Sequence, residues 1–241
     1  MSHKLWIAVF IVLLPCSVLF GQDIDEEDLD FLEEELTEPE VTISDPLEPI
    51  NRFMYNFNDA TFTHVIRPVA KGYKKVTPKP ARLGLHNFFS NLGAPIRFTN
   101  CLLQGKGDDA WIEMQRFLVN TSAGFLGLGD PALEKHGLYI VDEDLGQTLA
   151  TYGVDDGIYL VLPFLGPTTL RDAVGRVGDI FLSPVTYVKP GEVYLGASAL
   201  RITNTYSLHG NEYEAIKADA IEPYSALKSA YIQYRRNKVE Q

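Results

Sequence analysis

The chain contains only two cysteines, Cys16 and Cys101, among its 241 residues. If Cys16 is removed with a leader peptide or carries a lipid, Cys101 has no partner and no internal disulfide can form. Cys101 is followed by Leu102 and Leu103, a setting more typical of a small buried hydrophobic residue than of a nucleophile. The scarcity of cysteine therefore argues against a disulfide framework.

Common motifs for catalysis and metal binding are also missing from the sequence. No G-x-S-x-G nucleophile motif occurs, and "GFLGLGD" does not have the residue order of a dinucleotide-binding loop. Four histidines share no metal-ligand spacing: His64, His86, His136 and His209. We therefore expect neither a cofactor nor a bound metal.

Clustered carboxylates between residues 142 and 156 are the best candidates for an acid/base pair or a cation site. They are Asp142, Glu143, Asp144, Asp155 and Asp156. Capping of a helix by Asp144 and a turn at Asp156-Gly157 explain them more simply. An enzyme such as a phospholipase is thus the least favoured class of function.

An excess of basic residues is lacking, because the formal net charge is -11. All of this charge comes from one segment, residues 22–40, which contains acidic residues and no Lys or Arg, whereas the chain from residue 41 onward is close to neutral. Binding to nucleic acid needs a basic face, so the sequence argues against it. The acidic residues repel one another, and we interpret residues 22–44 as a linker.

No apolar run reaches the roughly 20 residues that span a bilayer. The N-terminal run covers residues 5–14, follows Lys4 and ends before the acidic segment. It predicts a secretory signal peptide at residues 1–21, with cleavage either before Cys16, which would then be lipidated, or after Gly21. Pro15 stands where a lipoprotein signal prefers a small residue, so both sites remain open.

Helical periodicity dominates residues 45–241, which we interpret as one all-α domain of short amphipathic helices. Asp45 is the predicted cap of the first helix, whose apolar stripe is Ile50, Phe53, Met54 and Phe57. A second stripe, Leu85, Phe88, Phe89 and Leu92, predicts a helix that ends at Gly93. Further helices are predicted at residues 95–104, from Asp108 through Leu118, and at residues 145–152, 168–182, 194–208 and 213–238, the last bent or restarted at Pro223.

Two apolar segments do not fit a regular bundle because glycine and proline interrupt them. They are residues 158–165 and residues 122–131. Such segments either lie in the core or contact lipid tails, and the residues alone leave both interpretations open.

Several motifs, in order and with similar gaps, resemble the MlaA (VacJ) family of outer-membrane lipoproteins of Gram-negative bacteria. They are "DPLEPINRFMYNFND", "RPVAKGYKKVTPKPARLGLHNFFSNLGAP", "LLQGK", "RFLVNTSAG", "DEDLGQTLATYGV" and "GIYLVLPFLGPTTLRDAVG". The resemblance implies a ring-like helical protein in the inner leaflet of the outer membrane, with a central amphipathic channel. Such a protein removes mislocalised phospholipids from the outer leaflet, passes them to a periplasmic carrier and binds trimeric porins.

Under this resemblance the apolar and basic motifs gain candidate roles. Candidates for lipid-facing or gate residues are Phe88, Phe89, Leu92, Leu160, Leu162, Phe164 and Leu165. Candidates for contact with lipid headgroups are Lys71, Lys74, Lys75, Lys79 and Arg82, and the tyrosines expected at headgroup level are Tyr139, Tyr152 and Tyr159. The main alternative function is a soluble periplasmic lipid carrier, which would leave the membrane without detergent.

Overall fold

The computed structural model describes residues 43–240, apart from the side chains of residues 211–216, 218 and 219. The predicted signal peptide, its cleavage at Cys16 or Gly21, and most of the acidic linker lie outside the described residues. The elements in chain order are α1 (Glu48–Thr61), a π-helical turn (Phe62–Ile66), α2 (Arg67–Val76), α3 (Lys79–Leu103), α4 (Gly107–Ser122), α5 (Pro131–His136), α6 (Leu145–Thr151), β1 (Tyr159–Leu162), β2 (Gly166–Thr169), α7 (Leu170–Ile180), a 3-10 turn (Pro184–Tyr187), α8 (Gly191–Asp219) and α9 (Pro223–Glu240). The prediction of a predominantly helical fold is confirmed.

The first helical segment begins with Leu47 at its N-cap, so the predicted capping role of Asp45 is wrong. The Asp45 carboxylate instead accepts hydrogen bonds from the Asn51 carboxamide at 2.8 Å and from the Tyr224 hydroxyl. These bonds connect the start of α1 to α9. Long-range partners have therefore replaced the local capping bond that the sequence pattern predicted.

A single helix, α3, replaces the two helices predicted around Gly93. Pro95 lies inside α3 and supplies no amide hydrogen, which normally weakens a helix. The Arg97 guanidinium donates to the Ser90 carbonyl at 3.2 Å, so a carbonyl one turn before the proline has a side-chain partner. The next helix, α4, has Lys106 at its N-cap rather than the predicted Asp108, and it packs along α3.

The apolar run at residues 158–165 forms a β-hairpin, which the helical prediction missed. Strands β1 and β2 are antiparallel, with Tyr159 opposite Thr169 and Leu162 opposite Gly166. Two asparagines of α1 take the place of a further strand beside β1. Asn51 donates to the Tyr159 carbonyl and accepts from the Val161 amide, and Asn58 does the same for the Leu162 carbonyl and the Phe164 amide.

The C-terminal part of the chain closes around the hairpin. Helix α9 contacts α6 and β2, while α8 packs against α2 and α3. Capping of α6 by Asp144 is confirmed, because its carboxylate accepts from the Gln147 amide, and Pro223 restarts the chain as the first residue of α9. Within residues 43–240, no helix is both long enough and apolar enough to cross a bilayer.

Candidate functional site

Helix α1 has the reverse of the polarity expected in a soluble bundle. Most of its predicted apolar stripe points outward, since Ile50 is 55% exposed and Phe53 is 64% exposed, whereas Met54 packs against the buried apolar cluster. The buried residues of the same helix are Asn51 and Asn58. A soluble protein normally buries the apolar side of an amphipathic helix.

Helix α4 repeats this arrangement on another side of the molecule. Trp111 and Leu118 are exposed, whereas Glu113 and Arg116 are buried. On α7, Val174 and Val177 are exposed and Arg171 and Asp179 are buried. Exposed apolar residues on several helices mark a surface for membrane or protein contact rather than for water alone.

Buried charges between α6, α7 and α9 are paired with one another. The Arg235 guanidinium lies 2.7 Å from Asp144 Oδ2 and 2.9 Å from Asp172 Oδ2, and the Tyr231 hydroxyl also donates to Asp172 at 2.7 Å. Burial alone would raise the pKa of Asp172, but the positive charges of Arg235 and Arg171 and the hydrogen bonds from Arg235 and Tyr231 lower it to about 2. This cluster fixes α9 onto the interior of the fold, since breaking a buried pair leaves an uncompensated charge.

Asp179 of α7 is a buried acid held by neutral hydrogen-bond donors. Its carboxylate accepts hydrogen bonds from the Asn100 carboxamide at 3.0 Å and from the Leu145 amide at 3.1 Å. Burial outweighs these bonds, and the nearby charge of Asp144 adds to it, so that the pKa of Asp179 rises to about 7. The polar interior therefore contains one group that changes charge near neutral pH.

A cavity of about 340 Å³ lies between α3 and α4 and has both polar and apolar lining residues. Its polar lining comes from His86, Asn87, Ser90, Asn91, Arg97, Arg116, Asn120 and Asp130, and its apolar lining includes Phe117, Leu133 and Ile140. The Arg97 guanidinium lies 2.8 Å from Glu113, and the Arg116 guanidinium lies 2.8 Å from Asp130. A cavity of this size and polarity can hold part of an amphipathic molecule.

Most of these cavity residues were not predicted. The sequence analysis interpreted "NFFSNLG" as an apolar stripe, whereas the polar residues Ser90, Asn91 and Arg97 of the same helix line the cavity, with the small residue Ala94 between them. One signal in the sequence could have predicted this polar lining. It is Arg97, a charged residue on a helix with an otherwise apolar pattern.

The candidate lipid-facing and gate residues fall into two groups. On the hairpin, Leu160, Leu162, Phe164 and Leu165 are half-buried. On α3, Phe88 and Leu92 are half-buried, while Phe89 is buried, with the Arg201 guanidinium 5.8 Å from the centre of its ring. Phe89 therefore does not face lipid, and a supporting role beneath α8 remains for it.

Not all of the expected headgroup contacts are at the surface. The lysines Lys71, Lys74, Lys75 and Lys79 are exposed. Arg82 is only 5% exposed and donates to the Thr77 and Ser207 carbonyls, so its prediction as a surface contact is wrong. Tyr139 and Tyr152 are exposed as a headgroup-level position requires, but Tyr159 is buried in an apolar cluster with Val161, Tyr224 and Ile232.

The sequence of this chain is similar to those of known proteins. The family model described as MlaA lipoprotein matches residues 43–238. The intermembrane phospholipid transport system lipoprotein MlaA of Haemophilus influenzae is 34% identical over 81% of this chain and 79% of its own length, and that of Escherichia coli is 35% identical over 79% and 76%. An uncharacterized protein of Rickettsia felis is 32% identical over 97% of this chain and 94% of its own.

A solved structure extends the similarity to the fold. It belongs to work on the structural basis for maintenance of bacterial outer membrane lipid asymmetry and has a TM-score of 0.72 at 32% identity, covering 82% of this chain and 100% of the other. The match of the family model to nearly all the described residues, together with relatives above 30% identity, shows that this chain belongs to the MlaA lipoprotein family.

Proposed function

We propose that this chain is the outer-membrane component of a phospholipid-transport system that maintains lipid asymmetry. It removes mislocalised phospholipids from the outer leaflet through an amphipathic channel and passes them to a periplasmic carrier. It acts by transport and not by enzymatic chemistry. Support comes from the names of the Haemophilus influenzae and Escherichia coli relatives and from the subject of the similar solved structure.

The reversed polarity of the helices is the single observation that carries this proposal. Apolar residues such as Phe53 and Trp111 are exposed, while Asn58 and Arg116 are buried. This distribution suits a protein whose exterior contacts lipid tails and whose interior accommodates polar headgroups. We place the protein on the periplasmic side, in the inner leaflet, where a trimeric porin can serve as its partner and Lys71, Lys74, Lys75 and Lys79 can contact anionic headgroups. Lipidation at Cys16 would add a second anchor.

Fractionation of the host bacterium tests the location. We expect the protein in the outer membrane and its release only by detergent, also in a Cys16→Ser variant, because the exposed apolar residues contribute to binding. Complete release of wild-type protein into the soluble periplasm would instead support the alternative of a soluble lipid carrier. The transport role predicts more phospholipid in the outer leaflet of a deletion strain, measured by labelling of surface-exposed lipid.

A role in the gate is proposed for Phe88 and Phe89, whose rings meet edge to face with centroids 5.5 Å apart. Removing the buried Phe89 ring should loosen the contact between α3 and α8 without unfolding the domain. We expect a Phe89→Ala strain to differ from both the wild type and the deletion strain in outer-leaflet phospholipid at matched protein abundance. Leu83→Ala, which removes an exposed side chain from the same helix, is the control. Values equal to those of the deletion strain or of the wild type would remove the gate role.

A further inference from the structure

The cavity between α3 and α4 offers more hydrogen-bond donors than its own walls use. Ser90 is only 6% exposed, and its hydroxyl has no hydrogen-bond partner among residues 43–240. The Asn87 carboxamide, which lies on the same helix, also has none in the described part of the chain. Unused donors around an enclosed space indicate a ligand that supplies acceptor oxygens.

The charges around the cavity cancel. Arg97 is paired with Glu113 at 2.8 Å, and Arg116 with Asp130 at 2.8 Å. A ligand with net negative charge would leave this half-enclosed site with an uncompensated charge, which costs free energy. A ligand that carries one negative and one positive group leaves the site neutral. The Asp130 carboxylate still has acceptor capacity for such a cation, because within the described part of the chain it accepts from Arg116, Asn120 and the Leu133 amide alone.

The apolar lining of the cavity defines the rest of the ligand. Phe117, Leu133 and Ile140 line the same cavity, so the ligand has an apolar part beside its polar part. We propose that this cavity binds the headgroup of a zwitterionic phospholipid, with the phosphodiester oxygens accepting from Ser90 and Asn87 and the ammonium group near Asp130. The inference rests on the proposed transport function and adds to it a preference for phosphatidylethanolamine over phosphatidylglycerol.

Binding of short-chain lipids to the purified full-length protein in detergent tests the preference. The probes are dihexanoyl phosphatidylethanolamine and dihexanoyl phosphatidylglycerol, each below its micelle-forming concentration, followed by calorimetry. We expect tighter binding of phosphatidylethanolamine, and about tenfold weaker binding of it to Ser90→Ala, because a hydrogen bond to a charged group is lost. Ser198→Ala is the matched control, since Ser198 is equally buried on α8 but already donates to the Tyr194 carbonyl.

A charge-changing variant tests the reason for the preference. Asp130→Asn keeps an acceptor for the Leu133 amide, because asparagine also caps helices well, but it gives the cavity a net positive charge. We expect this variant to bind phosphatidylglycerol at least as tightly as phosphatidylethanolamine, with unchanged circular dichroism in detergent. Equal binding of the two lipids by wild-type protein, or unaltered binding by Ser90→Ala, would overturn the inference.

The proposed transport function and the proposed headgroup site can be tested separately. A wild-type protein that lies in the soluble periplasm, and whose deletion leaves outer-leaflet phospholipid unchanged, contradicts that function. A normal result in both of those assays, combined with unaltered lipid binding by Ser90→Ala, contradicts only the headgroup site.

Discussion

The hairpin at residues 159–169 and the loop at residues 123–129 are both apolar and both interrupted by glycine, yet their apolar residues have different environments. In the hairpin, Tyr159 and Val161 are 1% and 6% exposed. In the loop, Phe125 and Leu126 are 76% and 62% exposed, each with a positive φ. Similar composition has therefore produced part of the core in one region and an apolar surface in the other.

The neighbouring helices account for the difference. Helix α1 supplies Asn51 and Asn58, which bind the backbone of β1 and of the turn that follows it, from Tyr159 to Phe164, so the strand is covered. The 123–129 loop closes on its own backbone, with the Gly129 amide donating to the Gly124 carbonyl. Gly127 also lies against Asn91, since a Cβ atom there would come within 2.6 Å of the Asn91 side chain. That close contact holds the base of the loop and leaves its tip exposed.

The largest expected effect comes from placing a charge in each region. Val161→Asp buries an unpaired carboxylate and should cost about 3 to 5 kcal/mol of unfolding free energy or prevent folding, by analogy with breaking a buried ion pair. Leu126→Asp, at the exposed tip of the 123–129 loop, should change the unfolding free energy by less than about 0.5 kcal/mol. Thermal unfolding in detergent measures both. Similar losses in the two variants would show that the tip is also part of the core.

A smaller effect should follow from removing one asparagine beneath the hairpin. Asn58→Ala leaves the Leu162 carbonyl and the Phe164 amide without their partners, and we expect a loss of about 2 kcal/mol, at roughly 1 kcal/mol for each lost hydrogen bond. The matched control is Asn56→Ala, because Asn56 is exposed on the same helix. Hydrogen exchange should speed up at Phe164 and not in the 123–129 loop. Unchanged exchange at Phe164 would mean that the turn between β1 and β2 is stable without Asn58.

The two regions should also respond differently to pH. Strand β2 continues into α7, which carries Asp179 with a pKa of about 7, whereas the loop contains no ionisable side chain. Because the folded-state pKa lies above the unfolded value, stability is lost as pH rises towards and through 7. From pH 6 to pH 8 the loss from this one group should be on the order of 1 kcal/mol.

Asp179→Asn serves as the comparison for this pH effect. The variant cannot ionise at this position, so its loss of stability between pH 6 and pH 8 should be smaller than that of wild-type protein by the same amount. Equal pH dependence of the two proteins would contradict an ionisation of Asp179 in this range. Asp172 should not contribute, since its pKa of about 2 lies far below the window.

Periodicity in the sequence predicted most of the helices, but not which side of each helix faces inward. The stripe from Ile50 to Phe57 was correctly assigned to a helix, yet it lies outside because the polar Asn51 and Asn58 have buried partners. The spacing of apolar residues predicts a helix, but it does not predict which face is buried, because that depends on whether the surroundings are water or lipid. The pairing of Arg235 with Asp144 and Asp172 joins positions 91 and 63 residues apart, which no local motif of the "YRRNK" segment reveals. The hairpin was missed for the same reason, since its support comes from α1.

The smallest change in folding stability should come from Phe125→Ser, which removes an exposed ring from the tip of the 123–129 loop. If the tip contacts lipid as we propose for the exterior, the ring loses about 1.5 to 3 kcal/mol of apolar transfer free energy, which is about a tenfold to hundredfold weaker contribution to membrane binding. Phe181→Ser is a useful second variant, because Phe181 is 69% exposed at the end of α7, the helix that follows the hairpin. It tests whether this end of α7 also binds lipid. Partition of each purified variant into vesicles of phosphatidylethanolamine and phosphatidylglycerol measures the effect, with circular dichroism to confirm folding. Weaker partition of Phe125→Ser alone would place the loop in the membrane and the end of α7 outside it. Weaker partition of both variants would extend the lipid-facing surface to α7. Partition of Phe125→Ser equal to that of wild-type protein would contradict lipid contact at the loop.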